Sequence, residues 1–330
     1  MKISSIIDIM DGEVLNSPSI SFIYNIKQCA SKVKEGDLFV AKNLNDIQIA
    51  INNGAFAILV DSYVSVTDFE IAWIKVGNLD EAIIKFIRFK LSNYDLNVFN
   101  CDEITFNYIK YLKPLNKIDL KLIETIDDIL KILDDIEINN ILIFKDKHFM
   151  NKLYPQNHLI EQIDSNKLKN IVKHTMFETS FTYNNIFFQK IKVPELYITN
   201  FLMAYDFLDC ELDFSKLKNC ELLRPIFVDR FINQVEFGKS NKFLILQNNL
   251  SLIEKEILYL KQNFKYGKII FLCKEEINNF YAKQNIIEKE ENLKDFLKSS
   301  NFNAAYLIGY KYEKLNELLN SEDIQTTLLF

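Results

Sequence analysis

Glycine is scarce in this sequence, with seven residues among 330 against the roughly 7% that is usual in proteins. No two of the seven stand close enough to form Gly-x-Gly-x-x-Gly or Gly-x-x-x-x-Gly-Lys, and none occurs between Gly77 and Gly238. Those loops need glycine because a side chain would block the backbone N–H groups that close around phosphate. The sequence therefore excludes a glycine-loop nucleotide site of either kind.

Cysteine and histidine are also too few and too dispersed to build a familiar site. An odd number of cysteines without a Cys-x-x-Cys pair indicates neither a disulfide framework nor a zinc site, and we interpret them as buried or incidental thiols. The histidines are ten and sixteen residues apart, so we expect them to face solvent or to form hydrogen bonds rather than to bind metal. These residues are Cys29, Cys101, Cys210, Cys220, Cys273, His148, His158 and His174.

Long apolar runs are missing as well. None approaches the roughly 18 residues that cross a bilayer, and the start of the chain, with Asp8 and Asp11, is not a secretory signal. We therefore expect a cytoplasmic protein without membrane insertion. The net charge of −6 is mild and both signs are interspersed, which argues against a nucleic-acid partner. A hydrophobic content of 48% over 330 residues is enough for two or three cored domains.

The most informative stretch is residues 31–60. Gly36 and Asp37 predict a turn into a short apolar strand, a helix follows from about Asp46 to Asn52, and Gly54 ends it. The continuous apolar run at residues 55–60 is typical of a strand buried in a parallel sheet. This stretch is a compact α/β unit.

The amino-acid sequence of that unit resembles that of the Mur ligases of peptidoglycan precursor synthesis, most closely the ligase that adds D-alanyl-D-alanine to the UDP-muramoyl tripeptide. Residues 36–41, Gly-Asp-Leu-Phe-Val-Ala, and residues 53–60, Asn-Gly-Ala-Phe-Ala-Ile-Leu-Val, match its N-terminal domain in order and spacing. The resemblance implies an α/β fold with three domains: a UDP-sugar-type domain at 1–92, a shortened and degenerate central domain at 93–222 and a Rossmann-like C-terminal domain at 223–330.

The ligand-contacting positions of the N-terminal domain depart from the family. The Asp-Ser-Arg triplet that the family uses near the uridine falls on residues 29–31, Cys-Ala-Ser, and the loop after the first strand is shortened to residues 42–45. By resemblance, the remaining candidates for substrate binding are Ser31, Lys42 and Asn43.

The ATP loop of the family is also absent. Where the family has Thr-Gly-x-x-Gly-Lys-Thr, residues 100–105 read Asn-Cys-Asp-Glu-Ile-Thr, without the glycines or the lysine. Thr105 is either a relic of that loop or a threonine that starts a helix. In the C-terminal domain, Arg230 stands where we align the family's Gly-Arg pair and Asn249 where we align its Asn-rich motif. The alternatives are a domain-junction ion pair for Arg230 and a helix cap for Asn249.

Several elements are predicted from periodicity alone. We expect a helix at 125–136, one or two strands within 175–198 with a turn at Tyr183-Asn184-Asn185, helices at 275–283 and 313–319, and a final strand at 326–330.

Without the lysine and Mg²⁺ that stabilise an acyl phosphate, ligation should fall by orders of magnitude. The sequence therefore favours a non-catalytic paralogue with no cofactor, acting as a binding or scaffold protein for a UDP-muramoyl peptide or cell-wall enzymes. The alternative is an active ligase using ATP and Mg²⁺ at an atypical phosphate site, for which Lys110, Lys113 and Arg230 are candidates. A third reading, unrelated chemistry in a cleft, names no residue.

Overall fold

The computed structural model describes residues 1–114, 119–133, 135–137, 140–278, 280 and 282–320. The chain forms two compact units: residues 1–106 with 117–160, and residues 107–116 with 161–330. The boundaries near residues 92 and 222 that the sequence suggests remain predictions. Among the described residues, no helix combines the length and the hydrophobicity that a membrane span requires.

The described strands and helices alternate along the chain. The strands are β1 Glu13–Val14, β2 Ile26–Lys27, β3 Leu38–Val40, β4 Ala57–Val60, β5 Ala72–Lys75, β6 Asn97–Asn100, β7 Lys113–Pro114, β8 Leu120–Ile123, β9 Ile141–Phe144, β10 His158–Leu159, β11 Leu168–Lys173, β12 Thr179–Tyr183, β13 Ile186–Ile191, β14 Leu212–Asp213, β15 Pro225–Val228, β16 Lys242–Gln247, β17 Ile269–Cys273, β18 Gln284–Ile286 and β19 Ala304–Ile308. The helices are α1 Ile3–Met10, α2 Ile47–Asn52, α3 Leu79–Leu91, α4 Glu103–Tyr111, α5 Ile126–Ile132, α6 Lys147–Leu153, α7 Ile198–Leu208, α8 Leu250–Asn263, α9 Leu293–Ser299 and α10 Tyr312–Asn320.

The first unit contains two sheets. The first has the order β1-β5-β4-β3-β2 and is parallel except for β1. All four residues of β4 are buried, as the apolar run predicts. Gly36 and Gly54 have φ of +92° and +91°, which explains why glycine stands at the turn before β3 and at the end of α2. The second sheet is parallel throughout, with the order β10-β6-β9-β8.

The second unit begins with an antiparallel sheet of order β11-β12-β13. Its β12–β13 hairpin turns at Asn184 and Asn185, with φ of +48° and +63°, so the predicted turn is confirmed. Positive φ at both central residues is the turn geometry that matches the twist of a two-residue hairpin. Strand β11 was not predicted, because its apolar residues Leu168, Ile171 and Val172 do not alternate with polar ones.

The C-terminal part of the second unit is the predicted Rossmann-like α/β arrangement. Its sheet has the order β15-β16-β19-β17-β18, in which only the edge strand β15 is antiparallel. The apolar residues of β16, β17 and β19 are buried, and α8, α9 and α10 bury one side each against this core. The fold class expected from the sequence is therefore confirmed.

Some predicted elements differ from the structure. The described residues of 275–283 form bends and a turn, not a helix, because the Gln284 side chain exchanges two hydrogen bonds of 3.1 Å with the backbone of Ile277 and closes a loop. The helix predicted at 125–136 is shorter, α5, and the strand predicted at 326–330 lies outside the described residues.

Candidate functional site

The junction between β6 and α4 contains residues 100–105, which the sequence aligns with the ATP loop of the Mur ligases. Asp102 precedes α4, and its Oδ1 accepts hydrogen bonds from the backbone N–H groups of Ile104 (2.9 Å) and Thr105 (3.0 Å). Its Oδ2 accepts a third bond, of 2.6 Å, from the Thr105 hydroxyl. Free N–H groups and the positive end of the helix dipole make a helix N-terminus an anion site. Here the chain's own carboxylate occupies these donors.

Thr105 is the third residue of α4, which begins at Glu103, and its hydroxyl is engaged within the chain. It is fully buried in the first turn of α4, and both its N–H and its hydroxyl bond to Asp102. The sequence reasoning missed Asp102, although an aspartate three residues before a threonine at a strand–helix junction is a capping signal.

Two neighbours complete this closed junction. Glu103 pairs with Lys145, which follows β9, at 2.7 Å between Oε1 and Nζ. Burial, with a smaller contribution from Asp102, raises the pKa of the Cys101 thiol to about 12, so this cysteine stays protonated and unreactive at neutral pH. The junction thus holds two carboxylates next to the helix end, and a phosphate group would meet negative charge there.

A cleft of about 340 Å³ lies in the first unit between the segment from Tyr24 to Asp37 and helix α5. Four lysines line it: Lys27, Lys32, Lys34 and Lys131. Lys131 is paired with Asp128, but within the described part of the chain the other three have no carboxylate partner.

Three carboxylates also line the cleft, and one of them is held by hydrogen bonds within the fold. Asp37 is 1% exposed and accepts hydrogen bonds from the Asn25 side chain (3.3 Å) and the Lys34 N–H (2.9 Å), so its oxygens are committed to the fold. The others are Glu35 and Asp127. The cleft therefore offers a ligand three lysines without a carboxylate partner among the described residues, beside the negative charge of these three side chains.

Of residues 29–31, which the sequence aligns with the uridine triplet of the Mur ligases, Cys29 lines this cleft. The Cys29 Sγ, which lines the cleft, is 3.2 Å from the Ser31 Oγ, in a hydrogen bond that either atom can donate. That bond, helped by the nearby Lys32 charge, lowers the pKa of the exposed Cys29 thiol. The Gln28 Nε2 is buried beside them and finds no acceptor among the described residues.

The other two substrate-binding candidates have structural partners. The Lys42 Nζ lies 2.8 Å from Asp80 Oδ1 at the surface. Asn43 accepts a hydrogen bond of 3.1 Å from the Asn45 N–H and caps a short 3₁₀ turn. Neither residue lines the cleft, and Ser31 is connected to it through its hydrogen bond to Cys29.

The two C-terminal candidates lie at opposite ends of one strand pair. Val228 pairs with Lys242 and Pro225 with Ile245, so Arg230 lies beyond the start of β16 and Asn249 beyond its end. Strand β16 separates these ends by five residue steps, about 16 Å at about 3.3 Å each. Arg230 stacks on the Phe231 ring at 4.5 Å. The two residues therefore do not converge on one ligand.

Asn249 and its neighbours hold the end of β16 together. Asn249 is the N-cap residue of α8, and its Oδ1 accepts from the N–H of Ser251 at 2.9 Å. Asn248 bonds to the backbone of Tyr310 and Gly309, and Gln247 accepts from the Asn249 N–H at 2.9 Å. These amides stabilise turns.

Arg224 is a residue that the sequence reasoning missed. It directly precedes β15 and therefore lies at the same end of the strand pair as Asn249. Leu223 before it has φ of +48°, a conformation that glycine adopts most easily. The signal in the sequence for Arg224 is its position immediately before a strand.

A buried carboxyl lies under this sheet. Glu256 of α8 is 0% exposed and accepts hydrogen bonds from the hydroxyls of Tyr197 and Tyr306 and, at 3.0 Å, from the Gln247 side chain. Burial raises the pKa of Glu256, and the three donors oppose that rise. With every oxygen engaged inside the core, this carboxyl stabilises packing and is not placed to meet a substrate.

No cluster of three or more histidine, cysteine, aspartate or glutamate side chains suited to a metal ion occurs among the described residues. His174 bonds through Nε2 to the Ser180 hydroxyl at 2.7 Å, and His148 and His158 are exposed.

The fold is that of solved Mur ligases. It is similar to crystal structure I of MurF from Acinetobacter baumannii, with a TM-score of 0.58 and 10% identity over 96% of this chain and 98% of that chain. It is also similar to the structure of the UDP-N-acetylmuramoylalanyl-D-glutamyl-2,6-diaminopimelate–D-alanyl-D-alanyl ligase from Acinetobacter baumannii, with a TM-score of 0.52 and 10% identity over 96% and 97%. Identities this low establish the fold alone.

Sequence comparison adds nothing to this likeness, since no protein-family model and no curated protein sequence matches the chain.

Proposed function

We propose that this protein is a Mur-ligase-like paralogue that binds an anionic UDP-muramoyl-type ligand without ligating it, in a role related to peptidoglycan precursor synthesis. The single observation that carries the proposal is the capping of α4 by Asp102. An ATP-dependent ligase must leave that helix end free for phosphate and supply a lysine beside it. In this chain a carboxylate takes the N–H groups, and neither the glycines nor the lysine is present.

The binding part of the proposal rests on the cleft of the first unit. Lys27, Lys32 and Lys34 offer three unpaired ammonium groups, and Gln28 offers a buried donor without a partner among the described residues. Charge-assisted hydrogen bonds to phosphate are the strong contacts by which proteins hold nucleotide diphosphates. The solved structures of the same fold include a ligase named for a UDP-N-acetylmuramoyl peptide.

Isothermal titration of the purified protein with UDP-muramoyl tripeptide tests this binding. We expect saturable binding that weakens about tenfold or more in the double variant Lys27→Gln, Lys34→Gln, since each charge-assisted bond contributes about 1.5–3 kcal/mol. The matched control is Lys147→Gln, Lys152→Gln, which removes two exposed lysines of α6. Control binding should equal that of the unmodified protein.

If the unmodified protein does not bind the tripeptide under conditions in which a thermal unfolding transition shows that it is folded, the ligand assignment is wrong. Equal losses in both double variants would also contradict it, because they would show a general charge effect and no specific cleft.

A further inference from the structure

A groove of about 780 Å³ follows strand β13 in the second unit. Strand β13 is an outer strand of the sheet β11-β12-β13. Successive residues of a strand point to opposite faces, yet Ile186, Phe187, Phe188 and Gln189 all line the groove. The groove therefore runs along the edge of the strand and not over one face of the sheet.

The backbone at this edge is available for pairing. Ile186 lies opposite Tyr183 across the two-residue turn, so its N–H and C=O face β12. The alternation of an antiparallel ladder then directs the N–H and C=O of Phe187 outward. Among the described residues no strand pairs with this edge, and the side chains of Ile186 and Phe187 are 48% and 60% exposed. Such an edge is a template for a further strand.

The opposite wall of the groove is acidic. It comes from the end of α7 and the residues after it, and it includes Asp206, Asp209 and Glu211. Asp206 accepts a hydrogen bond from the Tyr183 hydroxyl, whereas Asp209 and Glu211 have no ion-pair partner in the described ranges. No lysine, arginine or histidine of the described residues lines the groove.

The titration of neighbouring groups agrees with a negative potential here. Burial raises the pKa of Tyr205, and Asp206 and Asp209 raise it further. Burial and Asp209 likewise raise the pKa of the Cys210 thiol. In both cases, every neighbouring side chain that contributes is acidic: it is a carboxylate or, for Tyr205, the Cys210 thiol.

We propose that this groove binds an extended cationic peptide segment of a partner protein, which adds to β13 as a further strand and places lysine or arginine side chains against Asp209 and Glu211. Main-chain hydrogen bonds to Phe187 supply affinity, and the carboxylates select the charge of the segment. A second copy of this chain is a poor occupant, because pairing two β13 edges would bring the same carboxylates together. This inference concerns the second unit and does not depend on the UDP-muramoyl proposal.

Fluorescence anisotropy with two labelled probe peptides tests the inference. The cationic probe is Lys-Val-Lys-Phe-Lys-Val and the anionic probe is Glu-Val-Glu-Phe-Glu-Val. We expect the cationic probe to bind the full chain and to weaken by about fivefold or more in the double variant Asp209→Asn, Glu211→Gln, and also when salt rises from about 0.05 M to about 0.5 M. Asparagine is chosen at position 209 because that residue has φ of +38°, which asparagine tolerates.

Two controls separate the strand pairing from simple charge attraction. The variant Glu254→Gln, Glu275→Gln removes two exposed carboxylates elsewhere in the same unit and should leave binding unchanged. Methylating alternate backbone nitrogens of the cationic probe should abolish binding, since it removes the donors that pair with β13. Equal binding of both probes, an unaffected Asp209→Asn, Glu211→Gln variant, or full binding of the methylated probe would each overturn the inference.

Discussion

At the scale of single residues, Asp102 decides what the β6–α4 junction can do. A helix N-terminus presents N–H groups and positive charge, and whichever anion is bonded there determines its use. In this chain the anion is covalently part of the protein and makes three hydrogen bonds of 2.6–3.0 Å. An external phosphate would have to displace it and break these three hydrogen bonds.

Removing that carboxylate should cost stability without creating an ATP site. We expect Asp102→Ala to lower the free energy of unfolding in urea by about 1 kcal/mol, the usual cost of losing an N-cap. Asp102→Asn is the matched control and should retain most of the stability, because asparagine also caps well. We expect Asp102→Ala not to bind ATP, because the glycines and the lysine of a phosphate loop are missing as well. Saturable ATP binding by this variant would contradict that expectation.

Glu256 gives a second prediction at this scale, on the dependence of stability on pH. A carboxyl whose pKa is raised on folding binds more protons when folded, so its contribution to stability falls as pH rises above the unfolded value of about 4.5. Between pH about 5 and about 8, the free energy of unfolding should fall less in Glu256→Gln than in the unmodified protein. If urea denaturation gives the two proteins identical pH profiles, the carboxyl is ionised in the folded protein without loss of stability, and the prediction is wrong.

Glu256→Ala should lower the free energy of unfolding by about 3 kcal/mol, since it leaves two buried hydroxyls and an amide without acceptors.

At the scale of elements, the sequence predicted those whose local signals are strong. Strand β4 follows from an apolar run and the β12–β13 turn from Asn184-Asn185. Elements that depend on partners distant in sequence were not predictable. Strand β11 has no regular apolar alternation and exists through its pairing with β12, and the loop before β18 is closed by Gln284.

The hairpin turn supports a prediction about β12 and β13. Asn185 has φ of +63°, a conformation that costs every residue with a side chain some free energy. Asn185→Gly should therefore raise the free energy of unfolding by about 0.5 kcal/mol, as Asn-Gly is the favoured pair for this turn. Asn185→Val should lower it, and thermal unfolding of the two variants should shift in opposite directions. A stabilising valine would show that the turn is not formed as described.

At the scale of the whole molecule, the sequence predicts the fold class better than it predicts which residues lie together. The sequence could predict the α/β class because turn and core positions such as Gly36 and Gly54 carry packing constraints that local patterns reveal. It could not place the site residues. Arg230 and Asn249 are close to each other in sequence, yet the register of β15 on β16 sends them to opposite ends, whereas Arg224 lies with Asn249. The cleft joins Cys29 to Lys131 across about a hundred residues, which no local pattern shows.

The central claim is that the Mur-ligase fold of this chain persists without an ATP-dependent reaction. The most direct measurement is a ligation assay in which the purified protein is mixed with UDP-muramoyl tripeptide, D-alanyl-D-alanine, ATP and Mg²⁺, with phosphate release and the UDP-muramoyl pentapeptide followed together. We predict neither product above the level without protein, while the tripeptide substrate still binds in calorimetry. Formation of the pentapeptide with stoichiometric phosphate would contradict the account, because it would require a working phosphate site where Asp102 now caps α4.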